Sequence, residues 1–249
     1  MLTAHFGPPL ESLTMLDVAA IFEEFRPEYP SFRQIPIAGS MSVDAIPREE
    51  AVETIVSSAL PRVMMASADE EFAVFLQTDR ISVGWMRQTP LSITATYPGF
   101  EEMRKRLDFE LSRLQDWLRK NKFPDFAPDV VELAYNNAFD MGTEERRRLI
   151  SDVLTFFKNP RKAKMTAFNM SWIELMRPEE TDASQLSGSI RVQSGPGLAP
   201  DGTHVLLFNM VASAAVKGQQ WSGVGATFEE MHDRIVQIFS GSIQPEARI

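Results

Sequence analysis

The sequence contains no cysteine among its 249 residues. This excludes disulfide bonds, thiol nucleophiles and every metal site built on thiolates. Histidine is almost as scarce, since the whole chain has three. These three residues lack the H-E-x-x-H spacing of a zinc site, and no loop shows the Asp and Asn pattern of a calcium site. We therefore expect neither a bound metal ion nor a cofactor.

Sequence motifs for phosphate binding and for serine hydrolysis are also missing, because neither G-x-x-x-x-G-K-[ST] nor G-x-S-x-G occurs. Gly223 and Gly225 do precede a predicted helix, where an anion could bind. However, Glu229 and Glu230 follow closely, and no parallel βαβ pattern surrounds the glycines. The pattern favours a structural loop and helix cap over a nucleotide site.

Long hydrophobic runs are absent as well. No stretch approaches the roughly 20 apolar residues of a membrane span, and the first residues do not form a basic segment followed by an apolar run. With the absence of cysteine, this favours a cytoplasmic location and predicts no membrane partner. The net charge of -9 opposes nonspecific binding to nucleic acid, which is therefore not an expected partner.

The chain does have an ordinary globular composition, 44% hydrophobic and 24% charged, and its length suits a single compact unit over residues 1–249. Apolar and alternating runs predict strands, and apolar residues at helical spacing predict helices. The predicted strands are 62–67, 71–77, 80–86, 130–140, 164–175, 187–194 and 204–216. The predicted helices are 17–26 capped by Asp17, 98–120, 143–158 and a last one opened by Thr227. The segments 30–47 and 194–202 are predicted to be irregular, and 48–59 is ambiguous.

The tetrapeptide FEEM occurs twice, at residues 100–103 and 228–231. Each copy begins a predicted helix that follows three predicted strands. The order predicts an α+β fold, an antiparallel sheet or two related sheets with long helices packed on one face. It also raises the hypothesis of two related β-β-β-α halves, residues 1–140 and 141–249. A chance match of four residues is the alternative.

Five short motifs, taken in order and with their spacing, cover nearly the whole chain. They are Pro8-Pro9-Leu10-x-Ser12, the strand pair before Trp85, Tyr97-Pro98-Gly99-Phe100-Glu101, Tyr135-x-Asn137 and Phe228-x-x-Met231-His232-x-x-Ile235-x-x-x-Phe239. Together they resemble an uncharacterised, sporadically distributed bacterial family of about 250 residues, a numbered family model with no assigned activity. The family usually carries an acidic residue at the position of Ser12 and often an aspartate at that of Asn209. These departures argue against an acidic catalytic constellation.

Four residues are candidates for a small-ligand pocket: Tyr135, Asn137, Asn209 and His232. The first three are polar side chains on predicted strands, and His232 lies on the apolar stripe of the last helix. Polar groups that converge on a sheet can line a pocket, and a histidine can act as a general base. Hydrogen-bonded structural amides and a histidine at the edge of the core are the alternatives. His5 lies in an N-terminal segment that we expect to be mobile.

The stretch from residue 146 to residue 164 is locally basic. Its candidate interaction residues are Arg146, Arg147, Arg148, Arg161 and Lys162. Such a cluster could dock nucleic acid or an acidic protein. The alternative is the solvated outer face of one helix and its exit loop.

Two functions follow as hypotheses. The first is a noncatalytic binding or interaction module, with another protein as partner, in a bacterial accessory gene system of the kind that the resemblance implies. The alternative is a small-ligand-binding protein or enzyme, with the pocket at Tyr135, Asn137, Asn209 and His232.

Overall fold

The computed structural model describes residues 1–36, 60–86, 96–142, 148–157, 168–176, 187–199, 202–217 and 221–247. The strands in these residues are β1 (Leu2–Phe6), β2 (Ser31–Ile35), β3 (Arg62–Ala66), β4 (Phe72–Gln77), β5 (Arg80–Trp85), β6 (Pro128–Asp140), β7 (Met170–Met176), β8 (Gly188–Leu198) and β9 (His204–Ala215). The α-helices are α1 (Met15–Phe25), α2 (Phe100–Lys120) and α3 (Trp221–Ser242). Single 3-10 turns occur at Ile150–Asp152 and Pro245–Ala247.

The strands form one open antiparallel sheet in the order β2-β3-β4-β5-β1-β6-β9-β8-β7, and the three helices pack on it. The predicted α+β class is therefore confirmed. Each FEEM helix follows three strands that are consecutive both in the chain and in the sheet, since β3-β4-β5 precede α2 and β7-β8-β9 precede α3. The common origin of two halves, 1–140 and 141–249, stays a prediction.

The described chain divides into two compact units. The first contains β1 to β5, α1, α2, the part of β6 up to Leu133, the end of β9 from Ser213 and the start of α3 up to Phe228. The second contains β6 from Ala134, then β7, β8, β9 up to Ala212 and α3 from Glu229.

In the first unit, the apolar face of α2 packs on β5 and β1. The helix begins after Gly99, whose φ of 93° lies in the region that favours glycine. The stripe that the sequence predicts is buried, which confirms this helix: Phe100, Met103, Leu107, Leu111, Leu114 and Leu118. Burial of such a stripe supplies most of the stability of an amphipathic helix.

Three segments predicted to be irregular or mobile lie in strands instead, and one of them is 194–198, the end of β8, which falls in the predicted connection 194–202. Leu2–Phe6 forms β1 between β5 and β6, and Ser31–Ile35 forms β2 beside β3. The expectations of a mobile N-terminal segment and of a loop throughout 30–47 are therefore wrong. Both strands are five residues long, and partners distant in the sequence pair with them, so the local pattern alone is a weak signal. Residues 37–59, which contain the rest of the predicted loop and the ambiguous segment 48–59, lie outside the described residues.

Helix ends also differ from prediction. Thr14 caps α1, and Asp17 is the third helical residue, where its carboxylate completes a capping box. The last helix begins at Trp221 rather than at Thr227, whose hydroxyl lies inside the helix and donates to the carbonyl of Gly223 over 2.8 Å. The predicted Thr227 cap is therefore wrong.

The helix predicted for 143–158 is wrong over its described part, residues 148–157, which hold only one 3-10 turn. Leu154 instead forms a β-bridge with Ile243, and the Thr155 N–H donates to the carbonyl of Ser242 over 2.9 Å. These tertiary hydrogen bonds replace the helical ladder. Residues 143–147 and 158 lie outside the described residues.

Candidate functional site

Two of the four predicted pocket residues meet in the second unit. Tyr135 lies on β6 and His232 on α3, with the tyrosine hydroxyl oxygen 3.1 Å from His232 Nδ1. The hydroxyl donates this hydrogen bond when Nδ1 carries no proton. Both side chains are half-buried. A tyrosine–histidine pair can move a proton or hold a polar group, so this pair keeps the chemistry expected of the pocket.

The two asparagines do not complete that pocket. The Asn137 side-chain amide donates to the backbone carbonyl of Phe208 over 3.1 Å, which is the bond of a structural amide. The Phe208 ring packs near Phe239 of α3, with centroids 6.3 Å apart. Successive strand residues face opposite sides, so Asn209 faces away from the side on which Phe208 meets α3.

Of the basic candidates, only Arg148 lies in the described residues. Its Nη1 donates to the carbonyl of Asp140 over 3.4 Å, and its backbone N–H donates to Met141 over 2.8 Å. The other four candidates lie outside the described residues: Arg146, Arg147, Arg161 and Lys162. The basic docking face therefore stays a prediction.

The first unit contains a second group of polar side chains that sequence reasoning did not assemble. They share one side of β1, β3, β5 and β6, and we call them the polar face: Thr3, His5, Arg62, Arg80, Ser82 and Glu132. Arg62 is half-buried and the other five are buried. Charged residues are almost never fully buried in proteins unless they are paired, so a buried charged sheet face calls for an explanation.

Strand register brings these residues together. In the antiparallel ladders, Thr3 lies opposite both Ser82 and Glu132, and His5 lies opposite Arg80. Directly opposed residues project from the same side of the sheet. The Thr3 hydroxyl donates to Ser82 Oγ over 2.9 Å. Two short hydroxyl side chains thus form the floor of the polar face, and longer charged side chains stand around it.

One of the two arginines of the polar face pairs with a carboxylate. The guanidinium of Arg80 holds Asp79 through two contacts, Nε to Oδ1 at 3.1 Å and Nη2 to Oδ2 at 2.8 Å. The Gln77 amide also donates to Asp79 Oδ1 over 2.9 Å. Burial acts to raise the pKa of Asp79, but the hydrogen bond and charge of Arg80 and the charge of His5 outweigh it and hold that pKa below its ordinary value. Asp79 is therefore an ionised partner of Arg80.

His5 and Glu132 approach each other from neighbouring strands without such engagement. His5 Nε2 lies 3.1 Å from Glu132 Oε2, but it forms no hydrogen bond to any described residue because the alignment is poor. Glu132 Oε1 has no hydrogen-bond partner within the described chain either. Both residues are only 8% exposed. The pair therefore has two buried atoms that could each form a further hydrogen bond. His5 Nε2 could donate or accept, and Glu132 Oε1 could accept.

Arg62 stands on the opposite side of the hydroxyl floor. Its guanidinium carbon lies 4.7 Å from the centre of the Phe75 ring, a cation–π contact. Its buried Nε makes no hydrogen bond in the described part of the chain. Burial and then the charge of Arg80 lower the pKa of Arg62, whereas Glu132 and Asp79 act to raise it. Arg62 and Glu132 are therefore close enough for their charges to interact.

The sequence does contain a signal for the polar face. In LTAHF, RISVGW and VVELA, apolar residues alternate with Thr3, His5, Arg80, Ser82 and Glu132. Such alternation is typical of strands with one polar side. The missing information is adjacency, because nothing local indicates that β1 lies between β5 and β6.

Neither a cluster of metal-ligating side chains nor a membrane-spanning helix occurs within the described residues. No three histidine, aspartate or glutamate side chains there are grouped as a metal site would require. None of the helices in the described ranges is both long and apolar enough to cross a membrane.

Comparison of the chain with protein-family models, with curated proteins and with solved structures finds no match.

Proposed function

We propose that this protein is a noncatalytic binding protein that holds a small polar molecule on the polar face. The observation that carries the proposal is the set of three buried polar atoms there that make no hydrogen bond to the described residues: His5 Nε2, Arg62 Nε and Glu132 Oε1. The proposed site belongs to the first unit, whereas the pocket residues Tyr135 and His232 that the sequence predicts belong to the second.

Buried polar atoms without hydrogen bonds destabilise the folded protein. Each buried polar atom without a partner costs about 1–3 kcal/mol, and more when the group is charged. Apolar side chains could occupy the same positions without that cost, and replacing buried charges by them is often stabilising. A ligand that bonds to these atoms recovers the lost energy, which is the ordinary logic of a polar binding site.

A binding function is favoured over a catalytic one by the arrangement of the hydroxyl groups. Thr3 and Ser82 bond to each other, whereas an activated nucleophile is bonded to its base. Among the described residues, neither hydroxyl has a hydrogen bond to His5. The polar face thus offers hydrogen bonds and charge but no prepared nucleophile.

The proposal is tested by ligand-induced thermal stabilisation of the full-length protein. The probes are free L-amino acids, short dicarboxylates, diamines, inorganic phosphate and hexoses. We expect at least one class to raise the unfolding temperature of the wild type, because a ligand that binds only the folded state stabilises it. In Glu132→Gln, which keeps the shape and removes the charge, the rise should fall by half or more.

Asp140→Asn is the matched control, since Asp140 is an exposed residue at the end of the same strand, β6. It should respond to the probes as the wild type does. The proposal is wrong if no probe class stabilises the wild type, or if Glu132→Gln and Asp140→Asn respond equally.

A second candidate site is the Tyr135–His232 pair, which the 3.1 Å hydrogen bond favours. The same probe screen separates the two sites. Loss of the response in Tyr135→Phe and His232→Phe, with retention in Glu132→Gln, would place the ligand in the second unit.

The interaction module in a bacterial accessory gene system, with another protein as partner, stays a hypothesis supported by the sequence resemblance alone. Pull-down from a bacterial host, comparing the wild type with Arg146→Glu/Arg148→Glu, tests its basic face. Equal capture of the same partners by both forms would remove that face from consideration.

A further inference from the structure

The charges left over on the polar face restrict the chemistry of its ligand. Arg80 and Asp79 neutralise each other through their two-point contact. His5 Nε2 lies beside one oxygen of Glu132, Oε2, at 3.1 Å. Apart from these contacts, the polar face has one guanidinium, Arg62, on one side of the Thr3–Ser82 floor, and the second carboxylate oxygen of Glu132, Oε1, on the other. Each of these two residues has a buried atom without a hydrogen bond to the described residues.

A ligand with a single charge fits this arrangement poorly. A carboxylate or phosphate could accept from Arg62 Nε, but it would repel the Glu132 carboxylate and leave Oε1 without a donor. An amine could donate to Glu132 Oε1, but it would leave Arg62 Nε without an acceptor. In either case one buried polar group has no hydrogen-bond partner in the complex. A ligand that leaves such a group unpaired binds more weakly than one that bonds to it.

We propose that the ligand is a small zwitterion of the amino-acid class, whose carboxylate accepts from Arg62 and whose ammonium group donates to Glu132. This inference rests on the proposed binding function of the polar face. The hydroxyls of Thr3 and Ser82 lie between the two charged groups and supply further polar contacts. His5 Nε2 lies 3.1 Å from Glu132 Oε2 and adds a further polar atom next to the proposed ammonium position.

The position of the charges makes the inference specific. Glu132 and Thr3 are direct neighbours across the β1–β6 ladder, and Ser82 is the neighbour of Thr3 across the β1–β5 ladder. Arg62 reaches this area over the Phe75 ring, and Phe75 lies directly opposite Ser82. Arg62 on β3 and Glu132 on β6 thus lie on opposite sides of one pair of hydroxyls, with β4, β5 and β1 between their strands.

The test uses calorimetric titration of the full-length protein with matched sets of three compounds. Each set contains an L-amino acid, the acid that lacks its amino group and the amine that lacks its carboxylate, for example L-leucine, 4-methylpentanoate and 3-methylbutylamine. We expect one or more L-amino acids to bind, and each matched acid and amine to bind about tenfold or more weakly, since each loses a charge-assisted hydrogen bond.

Two variants assign the ends of the ligand. In Glu132→Gln the preference for the amino acid over the matched acid should shrink, and in Arg62→Met the preference over the matched amine should shrink. Circular dichroism confirms that each variant is folded. If Arg62→Met does not fold, Arg62→Lys replaces it, and the three-compound comparison on the wild type remains decisive.

The outcomes distinguish this inference from the proposed function. Equal binding of the amino acid and the matched acid, or of the amino acid and the matched amine, overturns the zwitterion and leaves a binding site for a singly charged ligand. Absence of binding by every compound, including the phosphate and hexoses of the first screen, overturns both. Unchanged preferences in both variants also overturn both, because the ligand would then lie elsewhere.

Discussion

At the scale of single residues, the first unit buries charge in a second place besides the polar face. Glu110 on α2 is 1% exposed, and its carboxylate lies 3.5 Å from the guanidinium of Arg113, which also contacts Glu28 at 2.9 Å. Tyr29 and Arg106 face the same carboxylate. This group ties the segment after α1 to the middle of α2, and it makes the stability of the unit dependent on pH.

Replacement of Glu110 by glutamine tests that dependence. Burial raises the pKa of Glu110, and the charge of Arg113 only partly offsets it. The folded protein therefore holds this proton more tightly than the unfolded chain does. The resulting stabilisation is present below the unfolded-state pKa and is lost as the pH rises through the folded-state pKa. We expect the free energy of unfolding of Glu110→Gln, relative to wild type, to be higher at pH 8 than at pH 4.

Urea unfolding at the two pH values measures the effect. Glu101→Gln is the control, because Glu101 lies on the same helix with a side chain 65% exposed. Its difference from wild type should change little with pH. A Glu110→Gln difference that is equal at both pH values, or larger at pH 4, would contradict the assignment.

At the scale of elements, the start of α3 is fixed by a close backbone contact. A Cβ atom at Gly223 would overlap the backbone carbonyl oxygen of Lys217. The Lys217 N–H donates to the Thr227 hydroxyl over 3.1 Å, and that hydroxyl donates to the carbonyl of Gly223. Glycine is therefore required here for close approach of two backbones.

Alanine substitution at the glycines of α3 should have opposite effects at two positions. Gly223→Ala should lower the free energy of unfolding by about 1–3 kcal/mol, because the added methyl group has no space. Gly241→Ala should be neutral or raise it by up to about 1 kcal/mol, because nothing lies within 4 Å of its Cβ position and alanine favours a helix. Chemical denaturation of both variants measures the contrast, which is absent if Gly223 does not touch Lys217.

At the scale of the whole molecule, acidic residues outnumber basic ones by 34 to 25. The isoelectric point is near 5.0. Net repulsion between molecules disappears at that pH and grows above it. We therefore expect self-association to peak near pH 5 at low ionic strength, as measured by light scattering between pH 4 and pH 8.

Salt provides the control for this expectation. At about 0.5 M salt the screening length falls to a few ångströms, so the decline of self-association above pH 5 should flatten. A peak well away from pH 5 would show that the charge on the folded molecule differs from that expected from its composition.

Much of the fold could be predicted because its signals are local. The apolar stripe of α2 repeats at helical spacing over 21 residues. The strands β3, β4 and β5 are apolar runs separated by short turns. The errors fall where local signals are weak or are overruled. Residues 148–157 carry helical spacing, but their backbone groups bond to the segment around Ser242 and Ile243.

The candidate site was harder to predict than the fold. His232 and Tyr135 were candidates from their residue types, and the structure brings them within 3.1 Å. Asn209 is a candidate for the same reason. However, successive residues of β9 face opposite sides, so Asn209 faces away from the side of the sheet on which Phe208 contacts α3. The sequence does not predict the polar face, because its residues are spread from residue 3 to residue 132. No short stretch of sequence contains both β1 and β6, which supply Thr3 and Glu132.

The sequence by itself determined the alternation of apolar and polar residues along each strand, and hence that one side of β1, β5 and β6 would be polar. That follows from backbone geometry, which projects successive side chains to opposite sides. Only the tertiary structure decided that β1 would lie between β5 and β6, because strand neighbours are set by packing and pairing over long separations. That placement puts His5 beside Arg80 and Thr3 beside Glu132, and it turns scattered polar residues into one candidate binding face.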